Sequence, residues 1–145
     1  MITKAQKNWL SVQLVRSSIM LLLLFVACND RNKNDLAQIE VYSIKWEILT
    51  RRDLNANDVI NWSGSKKNFK ISDKNDLILI SKRLGTLKLL PKYRDIDTRM
   101  VCILHYLNNE KDTLQLGGTQ IVKYKNKIFD KDSILVELIE KSNHN

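Results

Sequence analysis

Two cysteines, two histidines and a short run of acids and arginines hold most of the reactive side chains of this 145-residue chain. Cys28 closes an uninterrupted apolar run, residues 19–27, and opens the polar stretch Asn-Asp-Arg-Asn-Lys-Asn-Asp. A thiol placed there, behind the small residue Ala27 and at the end of an apolar segment, can accept a lipid group at a membrane face. Cys102 and His105 are close enough in sequence to suggest a nucleophile and its base. On one strand, however, positions three apart point to opposite faces, so a dyad would need a bulge between them. Met100 and Leu104 share the face of Cys102, and a structural thiol is the favoured reading over a reactive one. His144 sits in a terminal Ser-Asn-His-Asn tail expected to fray, so the two histidines make no metal cluster.

The densest charged cluster is Tyr93-Arg94-Asp95-Ile96-Asp97-Thr98-Arg99. Asp95 and Asp97 would share a strand face, and paired carboxylates do acid–base work or hold a cation. Pairing with Arg94 and Arg99 at a strand entrance is the favoured alternative, and the spacing is not that of a calcium loop. Asp130 and Asp132 suit helix capping, because the first helical turn favours an acidic side chain. Trp46 and Trp62 could form an aromatic platform for a glycan or peptide, although core packing is favoured, since Trp46 shares the apolar face of the first expected strand. Gly117-Gly118 lacks the strand-to-helix context of a phosphate loop. No serine-nucleophile motif and no metalloprotease helix is present. An enzyme is therefore disfavoured, and no cofactor is implied.

Lys4, Lys7 and Arg16 precede the apolar run with no acid among them, the charge pattern of a secretory signal. Nine apolar residues fall well short of the roughly twenty needed to cross a bilayer as a helix. Phe25-Val26-Ala27-Cys28 resembles the lipobox of bacterial lipoproteins, with Phe25 where leucine is commoner. That resemblance covers about the first thirty residues. It implies removal of residues 1–27, a mature chain beginning at Cys28, a thioether-linked diacylglyceryl on that cysteine and an N-acyl chain. Two or more chains hold a protein stably on a membrane where one does not. The expected location is the cell envelope, with the outer membrane facing the periplasm ranked first, because Asn29-Asp30 matches no retention rule and Arg31 and Lys33 break any acidic export run.

Removing residues 1–27 takes three basic and no acidic side chains from a formal charge of +8 and leaves +5. The lysines are spread along the chain rather than blocked, so no nucleic-acid footprint is evident. Residues 28–37 are polar and aperiodic and read as a tether, leaving residues 38–145 for one domain with a single core. Cys28 being consumed by lipid, Cys102 has no disulfide partner.

The alternation of Tyr42, Ile44, Trp46 and Ile48 against Ser43, Lys45 and Glu47 predicts a half-buried strand over residues 40–50. Asn55 or Asn57 could cap a short helix containing Val59, Ile60 and Trp62. A brief strand at residues 67–71 precedes a helix capped by Ser72 or Asp73, with Leu77, Ile80, Leu84, Leu87 and Leu90 on its apolar face and Gly85 or Pro91 as its stop. Residues 97–107 and 112–116 predict a hairpin around Asn108-Asn109. Residues 121–124 and 127–129, about Lys125-Asn126, predict either a tight hairpin or one kinked strand. Asp130 or Asp132 caps a last helix with Ile134, Leu135, Leu138 and Ile139.

The expected fold is α+β, an antiparallel sheet of about four to five strands with two main helices on one face. This arrangement resembles that of many small bacterial lipoproteins, a likeness of fold alone. The expected function is a membrane-anchored envelope lipoprotein whose domain binds a protein or peptide by a sheet edge or an uncovered sheet face. The alternatives are an immunity-type protein against a periplasmic toxin and a hydrolase of envelope material, the latter requiring a cleft that gathers Asp95, Asp97 or His105.

Overall fold

The structure, a computed structural model, describes residues 35–64, 66–91 and 95–143. The expected signal segment, lipid-attachment residue Cys28 and most of the tether lie outside the described residues, as do Tyr93, Arg94 and His144. The elements are β1 (Leu36–Ile44), α1 (Ala56–Ile60), β2 (Lys66–Ile71), α2 (Lys74–Leu84), β3 (Thr98–Tyr106), β4 (Lys111–Gly117), β5 (Val122–Tyr124), β6 (Lys127–Phe129) and α3 (Ser133–Lys141). The strands form one open sheet in the order β2-β1-β3-β4-β5-β6, antiparallel at every pairing.

The sheet thus has six strands, more than the four to five expected. The excess comes from residues 121–129, which form the tight hairpin β5–β6 and not the one kinked strand that was its alternative. Lys125 and Asn126 between them both take positive φ, 49° and 58°, as a two-residue hairpin turn matched to strand twist requires.

β1 corrects a second expectation. It begins at Leu36, inside the stretch read as tether, and stops at Ile44 rather than near residue 50. The Asp35 carbonyl already accepts from the Leu107 amide at 3.0 Å, and a turn closes after the strand with the Ile48 amide donating to the Lys45 carbonyl at 3.2 Å. Ile39 and Val41 are buried on one face while Ile44 is buried on the other, so the strand is defined by two apolar faces and not by the single alternation that continues to Ile48.

The caps follow local chemistry. Asn55 accepts from the Asp58 amide and Asp58 accepts from the Asn55 amide, a capping box that starts α1. Trp62 falls beyond that five-residue helix. Asp73 accepts from the amides of Asn75 and Asp76 to start α2, which ends at Leu84 before Gly85. Leu87 and Leu90 therefore leave the helical face assigned to them. Their segment runs along β6, with the Leu90 amide donating to the Ile128 carbonyl and the Asp130 amide to the Lys88 carbonyl, both at 2.8 Å. This covers one sheet edge; β2, at the other, carries lysines, a common protection against unwanted strand pairing.

Ile39, Val41, Met100, Cys102, Leu104, Leu114 and Leu116 form the main core with Leu77 and Ile80 of α2 and Leu135, Val136 and Ile139 of α3. The alternate positions Ile44 and Val101 build a smaller cluster with Val59 of α1 and with Leu54, which precedes it. The two longer helices thus share one face, and α1 lies on the other. Leu104→Ala should lower unfolding free energy by about 2–5 kcal/mol, whereas Leu49→Ser, at a side chain 97 % exposed, should change it by less than about 0.5 kcal/mol. Urea midpoints at equal m-value measure both.

Candidate functional site

The acidic pair of the sequence is divided between two partners. Asp97 precedes β3 and accepts from Arg99 Nε at 3.0 Å and from its Nη2, while its other oxygen takes the Leu54 amide at 2.9 Å. Arg99 is buried, and its Nη1 donates to the Ile48 carbonyl at 2.6 Å. Together they tie the loop between β1 and α1 to the start of β3. Asp95 instead meets Lys123 Nζ at 3.0 Å. The Lys123 hydrogen bond first, then the Ile96 amide and the Lys123 charge, hold its carboxyl below its ordinary pKa. Neither residue lies within a strand, so the shared strand face does not exist, and each carboxylate has its own cation.

Cys102 and His105 fall on opposite faces. Cys102 is wholly buried in the main core, where desolvation pushes the thiol up to about 12, leaving no thiolate at neutral pH. His105 lies on the second face, its Nε2 at 3.7 Å from Glu40 Oε1. Asp132 caps α3 by accepting from the Leu135 amide at 3.0 Å and also takes Arg83 Nε at 2.7 Å, joining the last turn of α2 to the first of α3. The Asp130 side chain accepts from its neighbour's amide, that of Lys131, at 2.8 Å. Trp46 packs on the main core and donates from Nε1 to Glu140 at 3.0 Å, whereas Trp62 packs on the second cluster. The two indoles make no common platform, and Trp46 does not share the face of Tyr42 and Ile44, because the strand ends before it. Gly117 and Gly118 form a bend, the Gly118 amide donating to the Asp97 carbonyl at 3.0 Å.

Two constellations had no signal in the sequence. On the second face, beyond the part covered by α1, Glu40 sits in the cross-strand row Lys70, Glu40, Ile103, Thr113. Its Oε1 lies 3.3 Å from Lys70 Nζ and accepts from Gln38 Nε2 at 3.4 Å, while its Oε2 accepts from the Tyr42 hydroxyl at 3.3 Å. Partial burial works to raise the Glu40 pKa, but the Lys70 hydrogen bond and charge, the His105 charge and Tyr42 outweigh it and hold the carboxyl below its ordinary value. The neighbouring row runs Asn68, Tyr42, Val101, Gln115, Lys123. The result is a polar, mixed-charge half-face. It offers hydrogen-bond donors and acceptors from three adjacent strands.

The second constellation lies at the rim of the main core. The hydroxyls of Tyr106 and Tyr124 are 2.8 Å apart, Tyr106 donates to Asp112 at 3.1 Å, and Lys125 Nζ stands 3.5 Å from the same carboxylate. Burial, then the hydrogen bond and charge of Tyr124 and the Asp112 carboxylate, push the Tyr106 phenol well above its ordinary pKa, so it serves as a neutral donor. Only the paired registers of β3, β4 and β5 bring these residues together, which is why spacing along the chain does not announce them.

No protein-family model, curated protein or solved structure matches the chain. Among the described residues, no group of three or more histidine, cysteine, aspartate or glutamate side chains could hold a metal ion, and no helix is long and apolar enough to cross a membrane. The Asp97–Arg99 pair holds the loop between β1 and α1 against the start of β3. Arg99→Ala should cost about 3 kcal/mol by leaving a partly buried carboxylate without its cation. Arg99→Lys should not restore it, because an ammonium cannot reach Asp97 and the Ile48 carbonyl as the guanidinium fork does. Denaturant melts of the three proteins measure this.

Proposed function

We propose that this chain is a lipid-anchored protein of a bacterial cell envelope, held by acyl chains on Cys28, whose domain binds a protein or peptide partner through the open half of its second sheet face. The observation that carries the anchor is Cys28 behind Ala27 at the end of an apolar, positively led segment. A diacylglyceryl thioether at Sγ, cleavage before Cys28 and acylation of the freed amine would give two or three chains and a stable hold. The outer membrane facing the periplasm is the location we assign.

The binding reading draws its support from the half-face around Glu40. A strand face left in water usually carries scattered polar residues. Here a carboxylate gathers a lysine, a histidine, a tyrosine and an amide from three adjacent strands. Such a surface can meet a partner by exchanging these contacts one for one, and it needs no cofactor. The hydrolase alternative asks for a cleft joining Asp95 or Asp97 to His105. Asp97 and His105 stand at opposite ends of β3, about 25 Å apart at strand rise.

Intact mass spectrometry of the membrane-fraction protein tests the anchor. A species beginning at Cys28 and carrying acyl mass is expected, with Cys28→Ala losing both the acyl mass and the membrane association. A native protein of unmodified mass, or one retaining residues 1–27, would contradict the reading.

A further inference from the structure

The described chain begins, at Asp35, beside a groove of about 550 Å³ between α2 and the start of β1. Leu36, Ala37, Leu77, Ile78 and Leu107 give it an apolar lining. Ile78 is 54 % exposed and Leu107 56 %, so two large aliphatic side chains from different elements open to solvent in one place. On α2, Lys74, Ile78 and Lys82 succeed one another at intervals of four, which stacks them on one helix face with the leucine-rich groove beneath. Asp35 is the acid in the lining; Asp73 at the helix start is occupied by the amides of Asn75 and Asp76.

We infer that this end of the domain is a lipid-docking face, lying against the bilayer to which Cys28 anchors the chain; the inference rests on the anchor reading above. The argument is one of reach and chemistry. Seven Cα steps separate Cys28 from Asp35, at most about 25 Å fully extended. The groove is therefore the part of the described domain closest along the chain to the acyl chains. β1 then carries the chain about 26 Å away, from Leu36 to Ile44, before the loop bearing Leu49. An aliphatic pair flanked by lysines is what an interfacial surface needs: Ile78 and Leu107 enter the acyl boundary, while Lys74 and Lys82 extend their stems along it and keep their ammonium groups among anionic headgroups. Scattered exposed aliphatic residues need no explanation; two converging on one groove at the point of attachment do. Docked in this way, the domain stands with β1 running away from the bilayer and the Glu40 half-face open to the side.

The test uses the full acylated protein reconstituted in vesicles of phosphatidylethanolamine and phosphatidylglycerol, with its acyl mass verified on the same sample. An environment-sensitive fluorophore is placed singly at Leu107→Cys, Ile78→Cys or Leu49→Cys. Cys28 is blocked by its thioether, and Cys102 is shielded by burial. All three positions are exposed, and matching urea midpoints verify that each labelled protein is folded. Nitroxide-bearing lipids should quench the probes at residues 107 and 78 severalfold more than the probe at residue 49, with a blue shift at the first two. Equal quenching at all three positions, with the acyl mass present, overturns the docking face and leaves the anchor standing. A blue shift at residue 107 without lipid quenching means that protein covers the groove, and overturns it too. Absence of the acyl mass removes the anchor reading and this inference together.

Discussion

β3 is the strand around which this domain is built, because from Thr98 to Cys102 it is buried on both faces, and it is paired with a strand along each edge. Met100, Cys102 and Leu104 point into the core shared with α2 and α3, and Val101 points into the cluster under α1. A strand in that position must be apolar on both sides, and Thr98–Leu104 is nearly continuously so. The longer helices take one face, and the five-residue α1 covers only part of the other. The remainder of that face has to be polar, and this is where Glu40, Lys70 and His105 collect.

Charge is used in two ways. Asp97 with Arg99 and Asp132 with Arg83 are partly buried pairs that fasten a loop and two helices. Such pairs gain little net stability over apolar packing, but each is costly to break singly. They fix where segments go, and one of them engages Asp97 of the acidic pair that the sequence singled out. The Glu40 group differs in its cation: the Glu40 carboxylate is about as sheltered as that of Asp97, but Lys70 stands largely in solvent, where Arg99 is buried.

Much of this was legible in the sequence, and what was not has physical causes. The α+β class, the hairpin of β3 and β4, the Asn55, Asp73 and Asp132 caps and the stop at Gly85 follow from local patterns. Parity alone places Cys102 and His105 on opposite faces. The end of β1 was hidden because the alternation of Tyr42, Ile44, Trp46 and Ile48 continues past Ile44, while the chain turns at Lys45. Leu87 and Leu90 keep helical spacing, yet they serve as an edge strip for β6. The Glu40 and Tyr106 groups depend on strand register, a property of pairs of segments that no single segment displays. The partner of Asp95 is likewise a register effect, with Lys123 arriving from β5.

The claim at the centre of this account is that the open half of the second face is the surface where the domain meets its partner. Photo-crosslinking in cells carrying the anchored protein tests it, with a benzophenone side chain placed at Thr113, two strands from Glu40 in the same cross-strand row, and, as control, at Glu137 on the exposed side of α3. The account predicts a protein adduct of one defined mass from residue 113, absent from residue 137 and lost when Glu40→Arg is added. No adduct at residue 113, or the same adduct from both positions, would contradict it.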